Sequence, residues 1–338
     1  MAVSLPRRVD RAALVGLLAD GEVRSGASLA RALETNRREV GEAIGRLRDQ
    51  GVDIAAVPRR GYRLANPVEL LSQERIRAAL GGEGRRRLHR LEVLFEVDST
   101  NTRLLHSPRP PWGQADACLA ELQHAGRGRH GRRWISPFGA AIALSIGWGF
   151  RDSGFPSPAL SLASAVAVSR ALKRVGAQGI RLKWPNDIWF DDRKVGGILL
   201  ELTAVEGAAA HVVIGVGLNL KLSAAERYEI EASGARVAAL ADAGVAAVSR
   251  NALSAALLEA LFGMLAEFER DGFGPFRAEW EALDALAARP ARILSAGDGA
   301  ILGLSRGVDK EGALLLEVGD GRLQRFVSGE VSLRGVEA

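Results

Sequence analysis

Arginine and glycine crowd into Gly126-Arg127-Gly128-Arg129-His130-Gly131-Arg132-Arg133-Trp134, between two strand-like segments. Glycines there let the backbone bend tightly and approach a ligand. The arginines bring fixed charge and forked donors suited to phosphate and carboxylate oxygens. Closed over a nucleotide, such a loop would compensate several phosphate charges; the same composition also serves a plain mobile loop or an RNA-binding Gly/Arg segment. A second group is Lys183-Trp184-Pro185-Asn186-Asp187. Pro185 biases Trp184 toward extended backbone, so a strand ends at a turn carrying Asn186 and Asp187. An amide there can bond a base edge or sugar, and a carboxylate can bind magnesium or accept a proton. Turn formation is the plainer reading of Pro-Asn-Asp. Lys194, after the turn at Asp191-Asp192, would aim a compact ammonium at a carboxylate or an α-phosphate. Small residues alternate through Gly215-Val216-Gly217-Leu218-Asn219 and leave room for a flat ligand. Asp98-Ser99-Thr100-Asn101 is either a helix N-cap or a set of small groups for a neutral polar head.

The elements around these residues follow from periodicity and punctuation. Helical spacing over 11–20 stops at Gly21; Ser28 is the expected cap of a second helix ending near Leu33; a third runs from Arg37 to Gln50 on a stripe of Val40, Ile44 and Leu47. A hairpin follows, turning at Pro58-Arg59-Arg60-Gly61. Three helices and a hairpin predict a winged helix-turn-helix. A short helix is expected at 72–80 and a linker or exposed loop at 81–87. Strands are expected at 91–97, 115–122, 140–150, 180–184, 187–190, 195–202 and 211–220, with helices at 159–175 and 250–270, the latter over the sheet. Beyond Pro290, ARILSA, AILGLSRGV, ALLLEV and LQRFVSGEVSLR read as short strands. Gly-Asp-Gly (297–299), Lys-Glu-Gly (310–312) and Gly-Asp-Gly (319–321) separate them, as in a small all-β barrel.

At 338 residues, 47% apolar and 25% charged, the chain has the composition of a globular protein of two or three domains. One cysteine, Cys118, excludes an internal disulfide framework and fits a reducing cytosol. With no apolar run of about 18 residues and no signal peptide, a cytoplasmic protein off the membrane is expected. Residues 1–65 hold 12 basic and 8 acidic residues, so they carry most of the net +5. A basic head on a near-neutral body suits a polyanionic partner or a solvated arginine-rich surface.

Taken together, Asp98–Asn101, Gln123, GRGRHGRRW, KWPNDIWF, DRKVGGILLEL and GVGLNL occur in the order found in biotin–protein ligases, and the chain resembles that family over nearly its whole length. The VPRRGYRL wing and the C-terminal DKEGALLLE…GEVSLR resemble the bifunctional bacterial form, which is also the biotin operon repressor. The resemblance implies an α+β protein: a winged helix-turn-helix DNA-binding domain (1–65), a class II synthetase-like catalytic domain with a central mixed β-sheet and helices (66–284), and an SH3-like β-barrel (285–338). It implies ATP, Mg2+ and biotin as substrates and cofactors, with biotinyl-5'-AMP as intermediate and corepressor. It further implies a biotin carboxyl carrier protein of acetyl-CoA carboxylase as acceptor, operator DNA as second partner, no membrane, and a ligand-promoted homodimer.

Residue by residue, the resemblance assigns the biotin ureido ring to Ser99, Thr100, Asn101 and Gln123, and the closing loop to Arg127, Gly128 and Arg129. Arg132 would contact phosphate, Trp134 would stack near the adenine, and Asn186 and Asn219 would line the nucleotide pocket. Lys183 and Lys194 would face the reacting carboxylate and α-phosphate, with Arg129 beside them. Asp187 would bind magnesium or deprotonate the acceptor lysine. His130 departs from the arginine common there, with little consequence while its neighbours remain. DNA contacts fall to Arg37 and Arg38 on the recognition helix and to Arg59, Arg60 and Arg63 on the wing, against which Glu39 and Glu42 would repel the duplex. A lipoate or octanoate ligase on the same fold and a ligand-sensing regulator without activity are the competing readings. The hydrogen-bonding set at 99–101 and 123 favours biotin over a fatty acyl chain.

Overall fold

Each helix at the start of the chain begins where a side chain takes up an orphan amide. The computed structural model describes residues 9–151, 157–204, 209–232, 234–295, 299–319, 321–327 and 331–335. It divides into two compact units, Met1–Leu71 with Pro137–Gly139, and Ser72–Ser136 with Ala140–Ala338. In the first, Asp10 caps α1 (Arg11–Leu18), Ser25 caps α2 (Gly26–Ala32) and Asn36 caps α3 (Arg37–Asp49). The cap of α2 is thus Ser25 and not Ser28, whose N–H donates to the Ser25 hydroxyl at 3.1 Å from inside the first turn. Val40, Ile44 and Leu47 are buried with Leu14 and Leu18 as this unit's core. Strands β1 (Ile54–Val57) and β2 (Gly61–Leu64) pair antiparallel in the expected hairpin.

The second unit opens with α4 (Gln73–Ala79) and α5 (Gly82–Arg87). The expected linker at 81–87 is therefore a helix. Glu83 near its start pairs with Arg86 and Arg87 at its end, an arrangement that complements the helix dipole. Gly84 is buried where a larger side chain would meet Glu259. Seven strands then form one mixed sheet: β3 (Leu88–Val97), β4 (Ala115–Gln123), β5 (Ala141–Phe150), β6 (Ile180–Lys183), β7 (Asp187–Phe190), β8 (Arg193–Ala204) and β9 (Ala210–Asn219). Their spatial order is β3-β4-β5-β9-β8-β7-β6, parallel only between β3 and β4. The helix α6 (Thr100–Leu105) packs on β4, β5 and β9 from one face. On the other lie α7 (Ser157–Arg174) and α9 (Arg250–Asp271), where Arg250 meets Glu121 of β4 at 2.7 Å with both side chains buried. By length and composition α9 could cross a membrane, but Leu253, Leu257, Leu261 and Leu265 are buried in the protein. Periodicity alone did not single out α6, α8 (Ala224–Glu231) or α10 (Gly274–Leu283).

A five-stranded antiparallel sheet closes the chain, in the order β13-β12-β11-β10-β14. It comprises β10 (Pro290–Ser295), β11 (Gly299–Val308), β12 (Leu314–Glu317), β13 (Leu323–Phe326) and β14 (Val331–Gly335). The stretch LQRFVSGEVSLR is thus two strands, not one, because β13 pairs with β12 while β14 crosses to β10. Residues 297, 298 and 320 of the expected Gly-Asp-Gly turns lie outside the described residues.

Candidate active site

One face of the large sheet carries every residue of the site. Side chains alternate along a strand, so Gly215, Gly217 and Asn219 of β9 share a face and span about 13 Å. Ser145 of β5 stands opposite Gly215, and Gly197 of β8 opposite Gly217.

At one end Ser99 caps α6, its hydroxyl accepting the Thr102 N–H at 3.4 Å, and Ser99, Thr100 and Asn101 are all buried. Asn101 lies so close to β9 that a Cβ on Gly215 would sit 2.2 Å from its Oδ1. Two amide orientations are set by partners that act one way only. Asn101 Nδ2 donates to the Glu201 carboxylate at 2.8 Å and to the Leu199 carbonyl at 3.4 Å. Gln123 Oε1 accepts the Thr100 N–H at 3.0 Å. Three more contacts remain: Ser145 Oγ to Asn101 Oδ1 at 2.5 Å, Ser145 Oγ to Thr100 Oγ1 at 2.7 Å, and Thr100 Oγ1 to Gln123 Oε1 at 3.2 Å. Only the two hydroxyl hydrogens are available to them. The cluster is one donor short, and a ligand bearing N–H groups supplies what it lacks.

The Gly126–Trp134 loop folds back on itself, Trp134 N–H donating to Gly126 O at 2.8 Å and Gly128 N–H to Arg132 O at 2.7 Å. Its apex is the left-handed His130 (φ 56°) followed by Gly131 (φ 72°). Arg127 pairs with Glu201 at 3.0 Å, joining the loop to the polar cluster. Arg129 donates to Asn186 Oδ1 at 3.5 Å, and its Nη2 is buried with no partner. Burial pushes the Arg129 guanidinium below its ordinary pKa, Asp187 opposing and Arg132 adding to the fall. A cation so placed gains from an anion delivered by a ligand. Burial, then Arg129 and Arg132, likewise push the exposed His130 at the apex down. Arg132 is exposed.

Beyond Asn101, Trp134 lies on Gly217, where a Cβ would come 2.4 Å from the indole. Lys194 Nζ stands 5.8 Å from that ring's centroid and 2.6 Å from Asp187 Oδ1. A bulge between Ile188 and Trp189 sets the register, and Lys194 is held through its main chain by Arg236 O and the Ala238 N–H, each at 2.9 Å. Asn186 Nδ2 donates to Ile198 O at 2.6 Å. Asn219 Nδ2 donates to Ala238 O at 3.1 Å, leaving Oδ1 buried and unpartnered, as is Trp134 Nε1. An unfilled acceptor and an unfilled donor suit a heteroaromatic ligand with polar edges. The structure thus brings together Arg129, Asn186, Asp187 and Lys194. Lys183, paired in register with Asp187, instead turns its ammonium over the Trp189 ring, 4.1 Å from the centroid. Sequence reasoning missed Ser145 and Glu201; period-2 alternation on β8 places Glu201 on the same face as Gly197 and would have found it.

In the first unit Arg37, Arg38, Arg59, Arg60 and Arg63 are all exposed. The two acids expected to oppose DNA are already engaged. Glu42 lies 3.5 Å from Arg38 and 3.9 Å from Arg46. Glu39 accepts a hydrogen bond from Thr35, which holds its carboxyl below the usual range.

Comparison with known proteins matches residues 94–219 to the biotin/lipoate A/B protein ligase family and residues 289–334 to the biotin protein ligase C-terminal domain. The chain is 41% identical over 324 residues to the bifunctional ligase/repressor BirA of Escherichia coli, covering 96% of this chain and 97% of that one. It is 30% identical to BirA of Bacillus subtilis, covering 93% and 95%. Among solved structures it is similar to the biotin protein ligase from Aquifex aeolicus in complex with biotin and ATP. That match has TM-score 0.60 and 27% identity, over 73% of this chain and 100% of that one.

Proposed function

The chain belongs to the biotin–protein ligase family, and from that membership we propose that it activates biotin to biotinyl-5'-AMP and transfers it to a lysine of a biotin carboxyl carrier protein. The observation that carries this reading is the donor-deficient cluster of Thr100, Asn101, Gln123 and Ser145. A ureido ring brings N–H groups to it; a lipoyl or octanoyl chain brings none.

In the first step the biotin carboxylate displaces pyrophosphate from the α-phosphorus of ATP, so two negatively charged groups must meet. Lys194 and the partly desolvated Arg129 offset that repulsion in a site where charge is poorly screened. Lys194 exchanges its Asp187 contact for the incoming oxygens. Trp134, Asn186 and Asn219 hold the nucleoside, Arg132 its phosphate, and alignment of both ligands along β9 contributes much of the rate. Lys183, whose ammonium lies over the Trp189 ring, would meet the departing pyrophosphate. Magnesium binds through one or two carboxylates and phosphate oxygens. Asp187 at the reacting end fits that requirement, and no cluster of three metal-ligating side chains exists among the described residues. When bound with ATP the ion supplies charge neutralisation. The Arg127–Gly128–Arg129 segment closes over the anhydride and keeps out water. In the second step the acceptor amine, with an ordinary pKa near 10.4, must lose a proton to Asp187, released from Lys194; the neutral amine then attacks the biotinyl carbonyl, the acyl C–O bond breaks and AMP leaves.

Residues 1–65 form a winged helix-turn-helix, with Arg37 and Arg38 at the major groove and Arg59, Arg60 and Arg63 on backbone phosphates. Residues 66–284 are the catalytic domain and 285–338 an SH3-like domain. Biotinyl-AMP promotes a homodimer that represses biotin synthesis genes, in the cytoplasm. Biotin-dependent pyrophosphate release from ATP tests the enzymatic reading directly. Release with biotin and none with lipoate or octanoate is expected; no release with biotin overturns it.

A further inference from the structure

We infer that Glu201 is a positioning residue that couples order in the arginine-glycine loop to recognition of the ligand's head group. The inference rests on the biotin ligase reading and gives a role to Glu201, which lies within the DRKVGGILLEL stretch but to which the motif assigns none.

Glu201 lies on β8, about three-quarters buried, and holds two things at once. Its carboxylate accepts Asn101 Nδ2 at 2.8 Å and pairs with Arg127 at 3.0 Å. Arg127 is two-fifths exposed, and an ion pair that open is worth little by itself. Its consequence comes from sharing one carboxylate with buried Asn101.

A carboxylate only accepts, so Glu201 obliges Asn101 to turn its NH2 outward and its oxygen inward. That oxygen is one of the acceptors competing for two hydroxyl hydrogens, so Glu201, with the longer 3.4 Å contact to the Leu199 carbonyl, sets the polarity of the Asn101 side of the pocket. Were residue 201 an amide, its own NH2 could satisfy Asn101 Oδ1, the Asn101 amide could turn over, and the donor deficit that selects an N–H-bearing head would vanish. The same substitution removes the charge that Arg127 meets at the base of the loop, where Arg127 and Arg133 form a bridge. Head-group selection and loop closure therefore fail together.

Glu201→Gln keeps the side-chain size and tests this. Biotin dissociation constants, the off-rate of biotinyl-AMP and amide hydrogen exchange across 126–134 would be measured for wild type, Glu201→Gln, Arg127→Ala and the double variant. The expected result for Glu201→Gln is at least a tenfold weaker biotin affinity, an off-rate at least tenfold faster, and loss of the protection that biotin alone confers on the loop. The double variant should release the adenylate no faster than the worse single variant. An unchanged biotin affinity, or single effects that multiply in the double variant, overturns the coupling. Should Glu201→Gln not fold, Glu201→Asp retains charge with a shorter reach, and the same three effects in smaller measure are required of it. Wild-type pyrophosphate release, run alongside, separates the outcomes: its absence removes the ligase reading, and its presence with normal Glu201 variants removes only this inference.

Discussion

The proposed reaction turns on Lys194 and Asp187, which lie 2.6 Å apart, so that each would exchange the other for a group of the substrates. Lys194→Gln removes the charge and shortens the side chain by one atom; pyrophosphate release should slow at least tenfold, about 1.4 kcal/mol of barrier. An unaltered rate in single-turnover measurements would remove Lys194 from the step. Gly215→Ala places a methyl group 2.2 Å from Asn101 Oδ1, so Asn101 must leave its position. Calorimetry should show biotin affinity lowered at least tenfold while ATP affinity changes little, because the nucleotide end lies further along β9. The motif residues were legible because their types and order are distinctive. The direction each amide faces was not legible, because Asn101 takes its orientation from a residue 100 positions later.

Elements were legible wherever a period and a stop signal agreed, as in α3 and its apolar stripe. The α5 helix was missed because three glycines and three arginines read as loop, whereas Glu83 and the docking of Gly84 on α9 make them helical. What no local pattern reveals is how Arg289 and Gly312, which lie just outside the C-terminal strands, hold the two turns that bracket β7, the strand that carries Asp187. At one end Trp184 Nε1 donates to Gly312 O at 3.0 Å. At the other Arg289 meets both oxygens of Asp192, at 2.9 and 3.2 Å. Gly312 has φ +78° and would carry a Cβ 2.6 Å from Ala159 N. Gly312→Ala should therefore displace this turn, cost roughly 1–3 kcal/mol of stability, and slow adenylate formation severalfold. Trp184→Phe removes the indole N–H and leaves a smaller aromatic ring in a buried position; it should slow the same step less. Equal rates for wild type and Gly312→Ala would show that the grip does not reach the site.

Across the whole molecule, pH acts through groups of opposite sign. Burial pushes Asp284 up to about 6 from an ordinary 3.8, against the opposing Leu286 N–H and Arg181. A carboxyl raised in the folded state contributes stability at low pH that is lost as pH climbs from about 4 through 6. Asp192, Asp242 and Asp309 are lowered and contribute stability that is lost only as pH falls through their depressed values. Asp284→Asn keeps the acceptor for Leu286. It should raise the melting temperature relative to wild type at pH 7 and not at pH 4; parallel profiles would contradict the assignment. The basic character of the first unit was readable from charge placement, and the engagement of Glu39 and Glu42 was not, since it depends on helical neighbours and a cap.

In the proposed reaction this chain makes and retains a biotinyl adenylate under its arginine-glycine loop. Mass spectrometry of the full chain, incubated with biotin, ATP and magnesium and then desalted under native conditions, would detect that adenylate. About one biotinyl-AMP per chain, lost on adding a biotin carboxyl carrier protein as that protein gains one biotinyl group, is the predicted result. A chain that emerges carrying no adenylate and releases no pyrophosphate contradicts the claim.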